Sequence, residues 1–151
     1  YSLVDKGWDL GINIEHHYDI SRNIKYRYST SLGFSYNFSK IKNDKFAFGL
    51  YFQKEKELTV HEKITLQNRL NTTLEISKII AKNIEINLSN HYYPNFEKFG
   101  DFRWKSTLDL KIKLNTKFSL SINSVFNFDS FPEERIPETD YQLINSISYT
   151  F

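Results

Sequence analysis

The sequence predicts an all-β fold: an antiparallel transmembrane β-barrel with about eight strands in this chain. Three observations carry that prediction. Apolar and polar residues alternate with period two along nearly the whole chain, the spacing that sends successive side chains to opposite faces of a sheet. Aromatic residues make up 17% of it, with Tyr 10 and Phe 13, and they gather near segment ends, where amphipathic rings suit a membrane–water interface. The links between segments are alternately short and long, as in barrels with turns on one side of a membrane and loops on the other.

The segments follow in order. The first puts Trp8, Leu10, Ile12, Ile14, His16 and Tyr18 on one face. The second runs from Ile24 to Phe38 and is the most regular, with Tyr26, Tyr28, Leu32, Phe34 and Tyr36 opposite Lys25, Arg27, Ser29, Ser31 and Gly33. The third sets Phe46, Phe48, Leu50 and Phe52 against Ala47, Gly49, Tyr51 and Gln53. The fourth begins at Ile64 and the fifth at Ile84; their apolar rows include Leu70, Leu74, Ile86, Leu88 and Tyr92. The sixth carries Phe102, Trp104, Leu108 and Leu110, and the seventh Phe118, Leu120, Ile122, Phe126 and Phe128. The eighth is the closing strand, Tyr141 to Phe151, whose Tyr149 and Phe151 resemble an outer-membrane assembly signal. Each is about as long as the roughly 9–11 residues a tilted spanning strand needs.

Short links are expected at 39–45, 77–83 and 115–117, and longer ones at 19–23, 54–63, 93–101 and 129–139. A periplasmic C-terminus then places the short links in the periplasm. Tyr1 to Gly7 read as the end of one strand and the turn into the next, which leaves open whether strands precede Tyr1. Residues 1–151 form one outer-membrane barrel domain in this reading.

Composition bounds the chemistry. The mean hydropathy of −0.52 resembles that of a soluble protein, but a barrel exposes only alternate residues to lipid. The absence of Cys excludes a disulfide framework and thiolate chemistry. A net charge of +2 is too small to point to nucleic acid. Alternation alone also fits a soluble β-sandwich with its apolar rows facing a common core; the aromatic ends, terminal Phe and link lengths favour the membrane.

With the apolar rows outward, Glu15, Arg27, Arg69, Glu75, Glu85, Arg103 and Asp109 face inward. Buried charges are expensive unless paired, so several should pair across the interior. Trp8, Tyr36, Phe38, Tyr92, Trp104, Phe128 and Tyr149 form the expected aromatic girdle. Phe96, Phe99 and Phe131 fall in outer loops and are candidates for lipid or protein contact.

The last third runs through Tyr92-Tyr93-Pro94-Asn95-Phe96, Asp101-Phe102-Arg103-Trp104, Leu108 to Leu114, Phe128-Asp129-Ser130-Phe131-Pro132 and Ser148-Tyr149-Thr150-Phe151. This pattern resembles the salt-induced outer-membrane protein (YdiY-like) family, a domain of unknown function. Phe128 stands where the family has Tyr, Glu133 where it has a second Pro, and Ser146 where Gly is usual. The resemblance implies an outer-membrane location and no established reaction, cofactor or ligand.

Other constellations are weak. His16 and His17 point to opposite faces and do not readily share a metal. Ser89 and His91 share the inner face, without an evident third member or oxyanion device. Glu133, Glu134, Arg135 and Glu138 read as a solvated loop. Lys40, Lys42, Lys45, Lys78 and Lys82 cluster on the expected periplasmic turns, for solubility or headgroup contact. The expectation is a non-enzymatic outer-membrane barrel, structural or a subunit of an envelope assembly, without metal or cofactor. Its expected partners are outer-membrane lipid, the barrel-assembly machinery and an envelope protein, not nucleic acid. The alternatives are a narrow channel linked to osmotic stress and a barrel-embedded lipid-modifying enzyme centred on Ser89 and His91.

Overall fold

Period-two patterning gives each segment one face to bury, and the chain uses it in consecutive hairpins. A computed structural model describes residues 7–39, 41 and 44–150. Eight antiparallel strands form one sheet in strictly sequential order. They are β1 (Trp8–Asp19), β2 (Ile24–Asn37), β3 (Lys45–Thr59), β4 (Ile64–Ala81), β5 (Ile84–Pro94), β6 (Phe102–Lys113), β7 (Phe118–Asp129) and β8 (Thr139–Tyr149). Each pairs with its neighbours in sequence, and β1 and β8 are not paired with each other, so the sheet is open. Phe151 lies outside the described residues.

Several strand ends differ from the sequence reading. Residues 54–59, expected in a loop, continue β3, because Lys54-Glu55-Lys56-Glu57 keeps the period-two pattern and Arg27 pairs in register with Glu57. That leaves 60–63 as the link. Strand β4 likewise runs on to Ala81 through a register shift between Ile79 and Ala81, leaving 82–83 as its turn. One end of the sheet, here the turn end, carries links 38–44, 82–83 and 114–117. The opposite loop end carries 20–23, 60–63, 95–101 and 130–138. Link lengths are therefore less cleanly segregated than expected: 38–44 is as long as 95–101.

Burial runs opposite to that of a water-soluble core. Among the described residues, only Ile24 and Ala47 are buried hydrophobics, while Ser29, Ser31, Gln53, Glu55, Glu57, Arg69, Asn71 and Thr73 are buried polar or charged groups. The apolar rows stay exposed, with Ile12 at 75%, Leu66 at 71% and Ile147 at 73%. No buried side-chain N or O among the described residues lacks a hydrogen-bond partner.

Three glycines help the sheet curl around its polar face. Gly11 pairs with Gly33, and Gly33 with Tyr51. A Cβ on Gly11 would come within 2.9 Å of the Tyr51 ring, and one on Gly49 within 2.7 Å. Tyr51 therefore lies across ground that β1, β2 and β3 leave bare, and an aromatic covers backbone that glycine exposes.

Candidate functional site: the charged interior

The inner row of each strand projects into one shared space. A cavity of about 360 Å³ is lined from β1 by Glu15 and His17, from β5 by His91 and Tyr93, and from β8 by Asp140 and Gln142. Side chains also meet between strands that are not neighbours. Arg103 on β6 donates from Nη1 to Glu55 on β3 at 2.6 Å, from Nη2 to Glu57 at 3.3 Å, and from Nε to Asp129 on β7 at 3.0 Å. Arg27 on β2 donates to Glu57 at 2.6 and 2.7 Å. A guanidinium offers several donors in a planar fork, which lets one side chain hold three carboxylates on two strands. These five groups draw β2, β3, β6 and β7 together near the loop end.

Arg69 forms a second anchor and is only 1% exposed. It donates to Asp101 Oδ1 at 2.9 Å, to the Tyr93 carbonyl at 2.9 Å, and to Gln67 Oε1 at 2.6 and 3.1 Å. Asn95 donates to the other Asp101 oxygen at 3.0 Å. The loop 95–101 is thus folded back over the inner face and fixed there.

The remaining inward residues of the sequence reading stay near their own strands. Glu75 pairs with Lys45, Glu85 accepts from Asn87 at 3.3 Å, Asp109 accepts from Asn123 at 2.5 Å, and Glu15 accepts from Asn13 at 3.2 Å. Sequence reasoning missed Glu55, Glu57, Asp101 and Asp129. The two glutamates were legible from the parity of β3; the two aspartates depend on how loops fold back.

Ser89, His91 and Asn71 form a chain on the inner face. Ser89 Oγ lies 3.0 Å from His91 Nε2, and His91 Nδ1 lies 3.4 Å from Asn71 Oδ1. Ser89 Oγ and Asn71 Oδ1 thus flank the two ring nitrogens of His91, and the ring's tautomer sets which of them donates. The structure thus adds Asn71 as the third group and ties β4 to β5. His16 stacks on Tyr28 with centroids 4.4 Å apart, and the described residues hold no group of three metal-ligating side chains.

The aromatics sit in two bands on the outer face. At the turn end Trp8 meets Tyr36 at 4.9 Å, Tyr36 meets Phe38 at 4.7 Å, and Phe118 meets Tyr149 at 4.8 Å. At the loop end Tyr92 and Phe128 both lie 5.4 Å from Phe102, and Trp104 lies 5.3 Å from Phe126. The loop candidates part company: Phe96 packs near Phe52 at 5.9 Å, Phe131 lies 3.5 Å beneath Lys98 Nζ, and Phe99 is fully exposed.

A model built for one protein family matches residues 1–151, the whole chain. The chain belongs to DUF481, a family of proteins of unknown function. No curated protein and no solved structure matches it. Membership of DUF481 agrees with the all-β reading and brings no reaction or ligand with it.

Proposed function

We propose that this DUF481 chain is the spanning wall of a bacterial outer-membrane β-barrel whose interior is sealed by paired charges. It serves as a structural component or assembly subunit of the envelope, not as an open pore. The observation that carries this reading is the inversion of burial: exposed Ile, Leu and aromatic rows outside, and buried Arg, Glu and Ser rows inside. In water such an arrangement forfeits its apolar burial; in lipid it meets the required solvent on each face.

The spacing of the aromatic bands supports it. At about 3.4 Å per residue, Tyr26 and Tyr36 on β2 stand roughly 34 Å apart along the strand. A tilt of about 35–45° reduces that to roughly 24–28 Å, close to the ~25 Å apolar band of outer-membrane barrels. The turn end then faces the periplasm, and Phe99 reaches out on the opposite side. The resemblance to the salt-induced outer-membrane family favours the same compartment.

Membrane fractionation tests this reading. The protein should resist extraction from outer membranes by alkaline carbonate and migrate differently before and after heating. Release by carbonate, without heat-dependent migration, would sink it. In planar bilayers the purified barrel should give no stable conductance.

A further inference from the structure

We propose that Lys54 and Lys56, on the outer wall of β3, hold a phosphate of a lipopolysaccharide molecule in the leaflet at the loop end. This rests on the outer-membrane reading, which sets hydrocarbon against that wall and lipopolysaccharide in the outward leaflet.

The first argument is charge. The rows that face out follow even numbers in β1 to β7 and odd numbers in β8; they contain no Asp or Glu, and their lysines are Lys54, Lys56 and Lys78. Both Lys54 and Lys56 are exposed. Among the described residues the lysines in ion pairs are Lys45 and Lys63, so the β3 pair carries uncompensated charge. A lysine facing lipid is disfavoured according to its depth, and two on one face repel each other unless an anion lies between them. Successive outward residues stand about 7 Å apart along a strand. From that spacing two ammoniums on flexible four-carbon stems can close on one phosphate.

The second argument is place. Lys56 lies opposite Tyr28 and Leu66, and Lys54 opposite Thr30 and Asn68. Tyr26, the loop-end aromatic of β2, pairs with Leu58, one outward step beyond Lys56. The lysines therefore sit just inside the loop-end aromatic band, within reach of the headgroups. Tyr28, held by its stack on His16, and Thr30 bring hydroxyl donors to the same face. Asn68 donates instead to Glu97 at 2.7 Å, a bond that occupies that carboxylate without pairing it to either lysine.

The third argument is what lies below. Towards the turn end the wall continues through Phe52, Leu32 and Phe34, which are 46%, 55% and 49% exposed. Acyl chains hanging from a phosphate held by the lysines would lie along these side chains. A free phosphate gains nothing from that wall. Lys78 stands singly between Ile76 and Ile80 on the outward row of β4, so the turn end lacks the paired charge.

Native mass spectrometry of the full protein in detergent, with bisphosphorylated lipid A added, tests the proposal. The parent should retain lipid A. Lys54→Gln with Lys56→Gln should weaken retention by about tenfold or more, the worth of a charge-assisted contact. Lys54→Arg with Lys56→Arg should keep it, and Lys78→Gln should leave it unchanged. Equal retention by the parent and the double Gln variant would overturn the proposal. So would an equal loss in Lys78→Gln, which means general charge attraction, or equal retention of phosphatidylglycerol, which means any anionic lipid. An arm on the parent alone does not depend on any variant's folding: lipid A stripped of its phosphates should bind far more weakly, and undiminished binding would overturn the proposal. Carbonate extraction judges the membrane reading separately. Release from membranes sinks that reading, whereas firm embedding with equal retention sinks this inference only.

Discussion

At the scale of single residues, Arg103 is central to the interior, because among the described residues it bridges three carboxylates on β3 and β7. Removing one partner of a buried ion network leaves its other charges uncompensated, at a cost of about 3–5 kcal/mol. Arg103→Ala should lower unfolding stability by about that amount in reconstituted bilayers, as read by denaturant titration. Arg103→Lys should recover only part of it, since an ammonium lacks the fork. Lys45→Ala breaks an exposed pair with Glu75 and should cost less than about 1 kcal/mol. Arg69→Ala should free the loop 95–101 from Asp101 and Tyr93. Limited trypsin digestion at Lys98 would register that as faster cleavage, and an unchanged rate would show that the loop is held by other contacts.

At the scale of elements, the strands were legible wherever apolar residues marked one face, as between Tyr26 and Phe38. They were not legible where both faces are charged. Residues 54–59 contain Lys-Glu-Lys-Glu, which resembles a solvated link, yet Glu55 and Glu57 keep inward parity and find Arg27 and Arg103. The glycine platform was hidden for a different reason. Gly11, Gly33 and Gly49 lie far apart in sequence, and only the cross-strand register brings them under Tyr51. A larger residue there must displace the ring, the strands or, at Gly49, also the Thr73 hydroxyl 2.6 Å away, and overpacking of this kind costs about 1–3 kcal/mol. Gly49→Val should therefore destabilise the sheet measurably, whereas Gly49→Val combined with Tyr51→Ala should regain part of the loss. Equal stability of the single variant and the parent would show that Tyr51 does not need that space.

At the scale of the molecule, the sequence showed which rows were apolar but not that the described sheet stays open, because openness depends on what lies beside β1 and β8. The outward aromatic bands, the inward ion network and the inverted burial agree on one solvent for each face. The two Trp residues of the chain, Trp8 near the turn end and Trp104 near the loop end, are 45% and 44% exposed on the outer face. They provide the most direct test of the central claim: tryptophan fluorescence of the protein reconstituted into vesicles with lipids brominated at different depths along the acyl chain. Both indoles should be quenched, more strongly by bromines near the headgroups than by those at the bilayer centre. Emission untouched by brominated lipid at every depth, yet fully open to an aqueous quencher, would contradict the account.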